Sequence, residues 1–230
     1  MMKAIKLIIF DLDGVLTETS KQHFNAWQML ARKHGIHLPK DFEKHLKGVS
    51  REDSLKRILD FGNKSAFYTE ETFNAMMNEK NIHYQSLIEH FTEKDLFKGA
   101  KSLLDLLKDK GLLLALGSAS RNGPSLLRSL GIYHYFDYIV NPEGLKGKPS
   151  PDIFLNAMHH FKLTPSECIG IEDAIAGIEA IKNAKMVAVG IGNKQELKEA
   201  DYVFDGVHQI TETALNQILK ERATDDLKTT

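Results

Sequence analysis

The 230-residue chain contains a single cysteine, Cys168, so an internal disulfide framework is impossible and a reducing compartment suits it. Net charge is lacking too. The 30 Lys+Arg are matched by 31 Asp+Glu, and the resulting −1 excludes the broad basic field that nucleic-acid binders display. An anionic ligand would therefore need positive charge supplied locally. No stretch approaches the roughly 18 consecutive apolar residues of a membrane span. The opening "MMKAIKLIIFD" is too short in its apolar part for a secretory signal, and Asp11 cuts it. Internal repeats and low-complexity tracts are missing. These absences lead to the expectation of a cytoplasmic protein with no nucleic-acid and no membrane partner; a monomer is expected as well, a state that none of these absences decides.

What is present is enough apolar residue, 42%, to bury a sizeable core. Short, nearly continuous apolar runs occur at 7–10, 112–116, 168–171 and 186–189, with a weaker one at 138–140. Runs without alternation predict strands buried on both faces. Helical patterns lie between them. "AKSLLDLLKDKG" carries Leu103, Leu104, Leu106 and Leu107 and ends at Gly111, a suitable C-terminal cap. "DAIAGIEAIKNA" spaces Ile175, Ile178 and Ile181 three apart, which predicts one shared helix face. This alternation predicts an α/β fold with a doubly wound, mainly parallel sheet.

The stretch from about 20 to 92 is different, because "KQHFNAWQMLARKHG", "REDSLKRILDFG" and "TEETFNAMMNEKNIHYQSLIEHF" are helical throughout and contain no convincing strand. The expected division is an α/β core of 1–17 and 93–224, an inserted helical domain of 18–92, and a fraying polar tail of 225–230. Its boundaries are good to about four residues.

Ligands bind at the carboxyl ends of strands in an open parallel sheet. Four candidate strands deliver polar groups there: Asp11 with Asp13, the "GSASRNG" loop with Ser118 and Ser120, Lys148 in "LKGKPSPDIF", and Glu172 with Asp173 in "CIGIEDAIAG". Several convergent carboxylates call for a hard cation such as Mg2+. A cation beside a lysine and free backbone amides suits a phosphoryl group. One aspartate can attack phosphorus while the other, two residues on, handles the proton.

Taken together, "FDLDGVLTET", "GSAS", the lysine of "GKPSPDIF" and "GIEDAIAG" resemble the four motifs of the haloacid dehalogenase superfamily of phosphotransferases, in order and over essentially the whole chain. The resemblance implies a Rossmann-like core with Asp11 as nucleophile and Asp13 as general acid/base. It implies that Ser118, the Ala119 N–H and Lys148 hold the phosphoryl group. One Mg2+ per site would be placed by Asp11, Asp13 (through its carbonyl), Glu172 and Asp173. The helical insertion is similar to the cap that closes over such sites.

The cap sequence "HLKGVSREDSLKRIL" and the core "SASRNGP" resemble the sugar-phosphate mutase branch, which interconverts β-glucose 1-phosphate and glucose 6-phosphate through a 1,6-bisphosphate. That implies sugar phosphates as the small-molecule partners. Arg51 is then the fork for a second phosphate, surrounded by Lys47, Gly48, Val49 and Ser50. Ser120, Arg121 and Asn122 assist from the core side. Thr19, which leads into the cap, and Lys80 are expected to contact substrate, His23 engages the sugar, and Lys80 and Asn81 match cap positions more loosely. Two residues depart from the branch: Glu18 where aspartate is common, and Arg121 where lysine is often found.

Plainer readings stand beside these. Asp11 and Asp13 would serve as strand-end solubilisers, and Glu172 and Asp173 as caps of the helix that follows. Lys148 would be a surface lysine, and Arg51 would pair with Glu52 or Asp53. His23 would be a surface or interface histidine, and Trp27, Met29 and Leu30 cap core. Cys168, inside an apolar run, reads as an inert buried thiol. Two other functions remain open at this stage. One is a sugar-phosphate or small-metabolite phosphatase using the same core with water as acceptor. The other, disfavoured by the roughly 70-residue insertion, is a non-enzymatic phosphoacceptor domain.

Overall fold

A computed structural model describes residues 4–65 and 68–225. Its centre is a six-stranded, wholly parallel sheet in the order β3-β2-β1-β4-β5-β6. The strands are β1 (Leu7–Phe10), β2 (Leu113–Leu116), β3 (Tyr138–Ile139), β4 (Cys168–Glu172), β5 (Val187–Ile191) and β6 (Tyr202–Phe204). Side chains alternate between two apolar layers along each central strand. Ile8 and Phe10 enter one layer with Ile169, Ile171, Val187 and Val189, whereas Leu7 and Ile9 enter the other with Cys168 and Ala188. Helices cover both faces, which is why these runs read as continuously apolar.

The helices are α1 (Ser20–Lys33), α2 (Arg51–Phe61), α3 (Glu70–Ile88), α4 (Ala100–Asp109), α5 (Gly123–Ser129), α6 (Asp152–His160), α7 (Ile175–Asn183) and α8 (Glu212–Asp225). Gly111, at φ 71°, closes α4 as its sequence predicts: its N–H donates to Lys108 O and the next N–H, of Leu112, to Leu107 O. The α7 face differs from expectation. Ile178 and Ile181 are buried, but Ile175 is 55% exposed. Steps of three residues drift by about 60° each around a 3.6-residue helix, so the first isoleucine has rotated out to solvent. Strand β6 was not anticipated; it is a three-residue, half-buried edge strand too short for a pattern. Helix α8 runs through Asp225, and 226–230, the rest of the expected tail, lie outside the described residues.

Helices α1, α2 and α3 pack around a separate apolar cluster that includes Phe24, Trp27, Leu30, Leu55, Ile58 and Met76. Ser50 starts α2, its Oγ accepting the Asp53 N–H at 3.1 Å. Two strips of chain connect these helices to the sheet, and they lie side by side. Thr17 bridges to Leu96, Thr17 Oγ1 donates to Asp95 O at 2.7 Å, and Phe97 N–H donates to Leu16 O at 2.9 Å. Among the described residues no helix is long and apolar enough to cross a membrane.

Candidate active site

Asp11 follows β1 directly, and its N–H extends the ladder to Ile171 O at 2.9 Å. The carboxylate thus stands at the carboxyl edge of the sheet, 6% exposed. Lys148, 4% exposed, places Nζ 2.6 Å from Asp11 Oδ1 and 2.6 Å from Glu172 Oε1. The other Glu172 oxygen, Oε2, accepts the Asp173 and Ala174 N–H groups, both at 2.7 Å. Glu172 therefore supports the residues opening α7 while orienting Lys148. Both of its oxygens have protein partners and each keeps a further lone pair, so the expected ligation of a metal by Glu172 stands beside this orienting role.

One ammonium serving two carboxylates leaves them under-compensated. Burial, reinforced by Glu172 and Asp13, pushes Asp11 up to about 7 despite Lys148. Burial and then Glu172 also raise Asp173 well above the ordinary carboxylate range, against the pull of Lys47. Lys148 shifts upward: burial opposes its charge, but Asp11 and Glu172 outweigh that. Among the described residues no three His, Cys, Asp or Glu side chains converge closely enough to hold a metal by themselves. This still fits Mg2+, which takes one or two carboxylates and fills its shell with water, main-chain carbonyl and phosphate oxygens. The chain shapes room for such a centre. Gly14 has φ 80°, and a Cβ there would lie 1.7 Å from Asp173 Oδ2.

Asp13 has a different environment. The Thr19 hydroxyl donates to its Oδ1, and Tyr84 OH donates to Thr19 Oγ1 at 3.1 Å. His23 Nε2 lies 3.7 Å from Asp13 Oδ2. Burial raises Asp13 to about 6, with the Thr19 hydrogen bond opposing. Behind His23, Lys80 Nζ is 2.7 Å from Nδ1 and 4.8 Å from the centres of both the Trp27 and Tyr84 rings. Burial, followed by the charges of Lys80 and Arg51, holds His23 well below its ordinary value. A neutral imidazole accepting from Lys80 at Nδ1 carries its proton on Nε2, facing Asp13. Burial and Arg51 lower Lys80 itself to about 7.

The loop before α2 reaches across from the helical insertion. Lys47 Nζ sits 2.6 Å from Asp173 Oδ2, and the Gly48 backbone, at φ 70°, packs against Ala174. Arg51 Nη2 donates to Asn81 Oδ1 at 2.9 Å instead of pairing with Glu52 or Asp53. Those two are engaged by Lys56 and Ser50. Burial, and then Arg121, shift the Arg51 guanidinium downward.

These groups enclose a cavity of 80 Å³ lined by Asp11, Asp13, His23, Lys47, Gly48, Val49, Arg51, Lys80, Ser118, Ala119, Ser120 and Asp173. The remaining sequence candidates do not line this cavity themselves. Thr19 is fully buried behind Asp13, where its hydroxyl is already spent, so a substrate contact from Thr19 gives way to holding Asp13. Ser50, Arg121 and Lys148 line a second cleft of 270 Å³ that shares Arg51 and Ala119 with the first. Asn122 is 6% exposed and lines neither. Ser20, Phe24 and Trp27 are unanticipated wall residues. Their signal was present: 20, 23, 24 and 27 fall on one helix face. Trp27 is both cap core and cavity wall and Leu30 is cap core, whereas Met29, expected in that core, is 48% exposed because it lies on the outer face of α1. Cys168 is fully buried, and burial pushes its thiol up to about 12.

The haloacid dehalogenase-like hydrolase family model matches residues 5–185. The β-phosphoglucomutase of Bacillus subtilis strain 168 is 44% identical over 93% of this chain and 95% of its own length. A phosphorylated carbohydrates phosphatase of Thermotoga maritima is 28% identical, over 78% of this chain and 82% of its own. Among solved structures, a β-phosphoglucomutase from Clostridium difficile superposes with a TM-score of 0.91 at 42% identity, covering 97% of this chain and 99% of that one. The sheet order, the edge carboxylates and the helical insertion accord with these matches, and the chain belongs to the haloacid dehalogenase-like hydrolase family.

Proposed function

We propose that the chain is a Mg2+-dependent mutase that interconverts β-D-glucose 1-phosphate and D-glucose 6-phosphate through β-D-glucose 1,6-bisphosphate. The observation that carries this reading is Arg51. It lines the same cavity as Asp11, yet its side chain is held by the neutral oxygen of Asn81, so its charge stays available for a second phosphate. The 44% identity with a β-phosphoglucomutase supports the same substrate pair.

In the first transfer the phosphoryl group on Asp11 passes to a sugar hydroxyl: the Asp11–phosphate bond breaks, the sugar O–P bond forms, and Asp13 takes the hydroxyl proton. After the bisphosphate turns over, Asp11 attacks the other phosphorus and Asp13 returns the proton to the departing sugar oxygen. A carboxylate held at about 6 suits both directions near neutrality. Ser118, the Ala119 N–H and Lys148 cradle the moving phosphoryl group. Asp11, the Asp13 carbonyl, Glu172 and Asp173 would hold Mg2+. When bound, the cation neutralises charge on the phosphoryl oxygens. Closure of the helical insertion keeps water from Asp11-phosphate.

The test is to supply Mg2+, β-glucose 1-phosphate and a trace of the 1,6-bisphosphate, and to follow glucose 6-phosphate and free phosphate separately. Glucose 6-phosphate in large excess over free phosphate is the expected result. Mainly free phosphate would make the protein a phosphatase instead.

A further inference from the structure

Arg51 does not aim itself. Its contact, Asn81 Oδ1, also accepts Asn122 Nδ2 at 2.9 Å. Asn122 Oδ1 in turn accepts Gln85 Nε2 at 3.1 Å. The four residues come from three places: Arg51 opens α2, Asn81 and Gln85 sit four apart on one face of α3, and Asn122 immediately precedes α5 of the core. The amide orientations follow from chemistry. A guanidinium only donates, so Asn81 must present its carbonyl. That carbonyl takes the Asn122 amide hydrogens, which turns the Asn122 carbonyl toward Gln85. Donation therefore runs in one direction, from Gln85 to Asn122 to Asn81, with Arg51 joining at the same oxygen.

Two consequences are built into this chain. Every partner is neutral, so Arg51 is oriented without being neutralised; none of the ion pairs among the described residues involves it. Moreover, the chain crosses from α3 to the core at a buried residue, so it forms only when the helical insertion is seated on the sheet edge.

We infer that Asn81 is a positioning residue for the distal phosphate: with Asn122 and Gln85 it aims the Arg51 guanidinium and makes that aim depend on cap seating. This rests on the mutase reading of Arg51. The side chain of Asn81 acts through Arg51 and touches no reacting atom.

The experiment measures KM for β-glucose 1,6-bisphosphate and kcat in Asn81→Ala, Asn81→Asp, Gln85→Val and Arg51→Ala, with thermal melting of each. Asn81→Ala is expected to raise that KM about tenfold, the value of one hydrogen bond to a charged group, with kcat changed less than about twofold. Asn81→Asp has the same shape but pairs with the guanidinium and repels phosphate, so its KM rises by about a further tenfold. Gln85→Val, one hydrogen bond removed, raises it by about threefold. Asn81 variants within about twofold of the parent, while Arg51→Ala is impaired, overturn the positioning role and leave the mutase reading standing. Asn81→Asp no worse than Asn81→Ala also overturns it, because Asn81 would then act by packing alone. If Arg51→Ala leaves the bisphosphate KM unchanged, the distal-phosphate reading falls and this inference falls with it.

Discussion

Lys148 Nζ lies 2.6 Å from Asp11 Oδ1 and equally near Glu172, so one buried ammonium organises the whole carboxylate edge. Replacing it with methionine removes the cation and leaves two buried carboxylates facing each other. Lys148→Met should lower Mg2+-dependent turnover by about a hundredfold or more. It should also destabilise the fold by about 3 kcal/mol, as breaking a buried pair does. Steady-state kinetics and urea unfolding check the two halves separately.

A second prediction concerns pH without added Mg2+. Asp11 is raised from 3.8 to about 7 and Asp13 to about 6. Across that window the folded chain binds protons that the unfolded chain has released, so these groups make stability fall as pH rises from about 4 to about 7. Asp11→Asn removes one of them. The variant should melt higher than the parent at pH 7, and the gap should close toward pH 4, in melting curves recorded across that range. Added Mg2+ should raise the parent's melting temperature more at pH 7.5 than at pH 5, since protons compete for the same oxygens.

Glu167 behaves in the opposite sense. Lys6, the Thr164 hydroxyl and the Thr164 N–H hold it down at about 2, and its capping contacts close the turn that feeds β4. Its contribution is present above the ordinary glutamate value and is lost as pH falls through about 2. Glu167→Gln should therefore cost about 1 kcal/mol at neutral pH, with little change in activity. The penalty should shrink steadily in acid, as denaturant titrations at several pH values would record.

Lys80 tests the electrostatics behind Asp13. It is 2% exposed, and after burial its charge is the largest influence depressing His23. Lys80→Met keeps the volume and removes the charge. The fold should be retained, and the His23 imidazole should titrate at a higher pH than in the parent, read by NMR of its ring protons. An unchanged His23 titration would mean that burial and Arg51 set its value without Lys80.

Much of this molecule was legible along the chain because the governing physics is local. The run at β1 reads as a strand covered on both faces, since it has no polar alternation for solvent and Asp11 cuts it too short for a helix. The acids after it, and the glycine at 14, mark the point where the chain must leave the sheet. The turn closing α4 at Gly111 required only a residue tolerant of positive φ. Even the wall formed by Ser20, His23, Phe24 and Trp27 was present as helical spacing.

Tertiary structure decided the charge states and partners, because those depend on desolvation and on contacts between distant segments. Lys148 meets Asp11 across 137 positions, and Asn122 meets Asn81 across 41. No local pattern fixes which oxygen of Glu172 faces the lysine, or that Thr19 holds Asp13 rather than a ligand. The residue types needed for phosphoryl chemistry are properties of the sequence. Their compensation, one ammonium for two carboxylates and a neutral amide for Arg51, exists only once folding excludes the water that would otherwise solvate each of them.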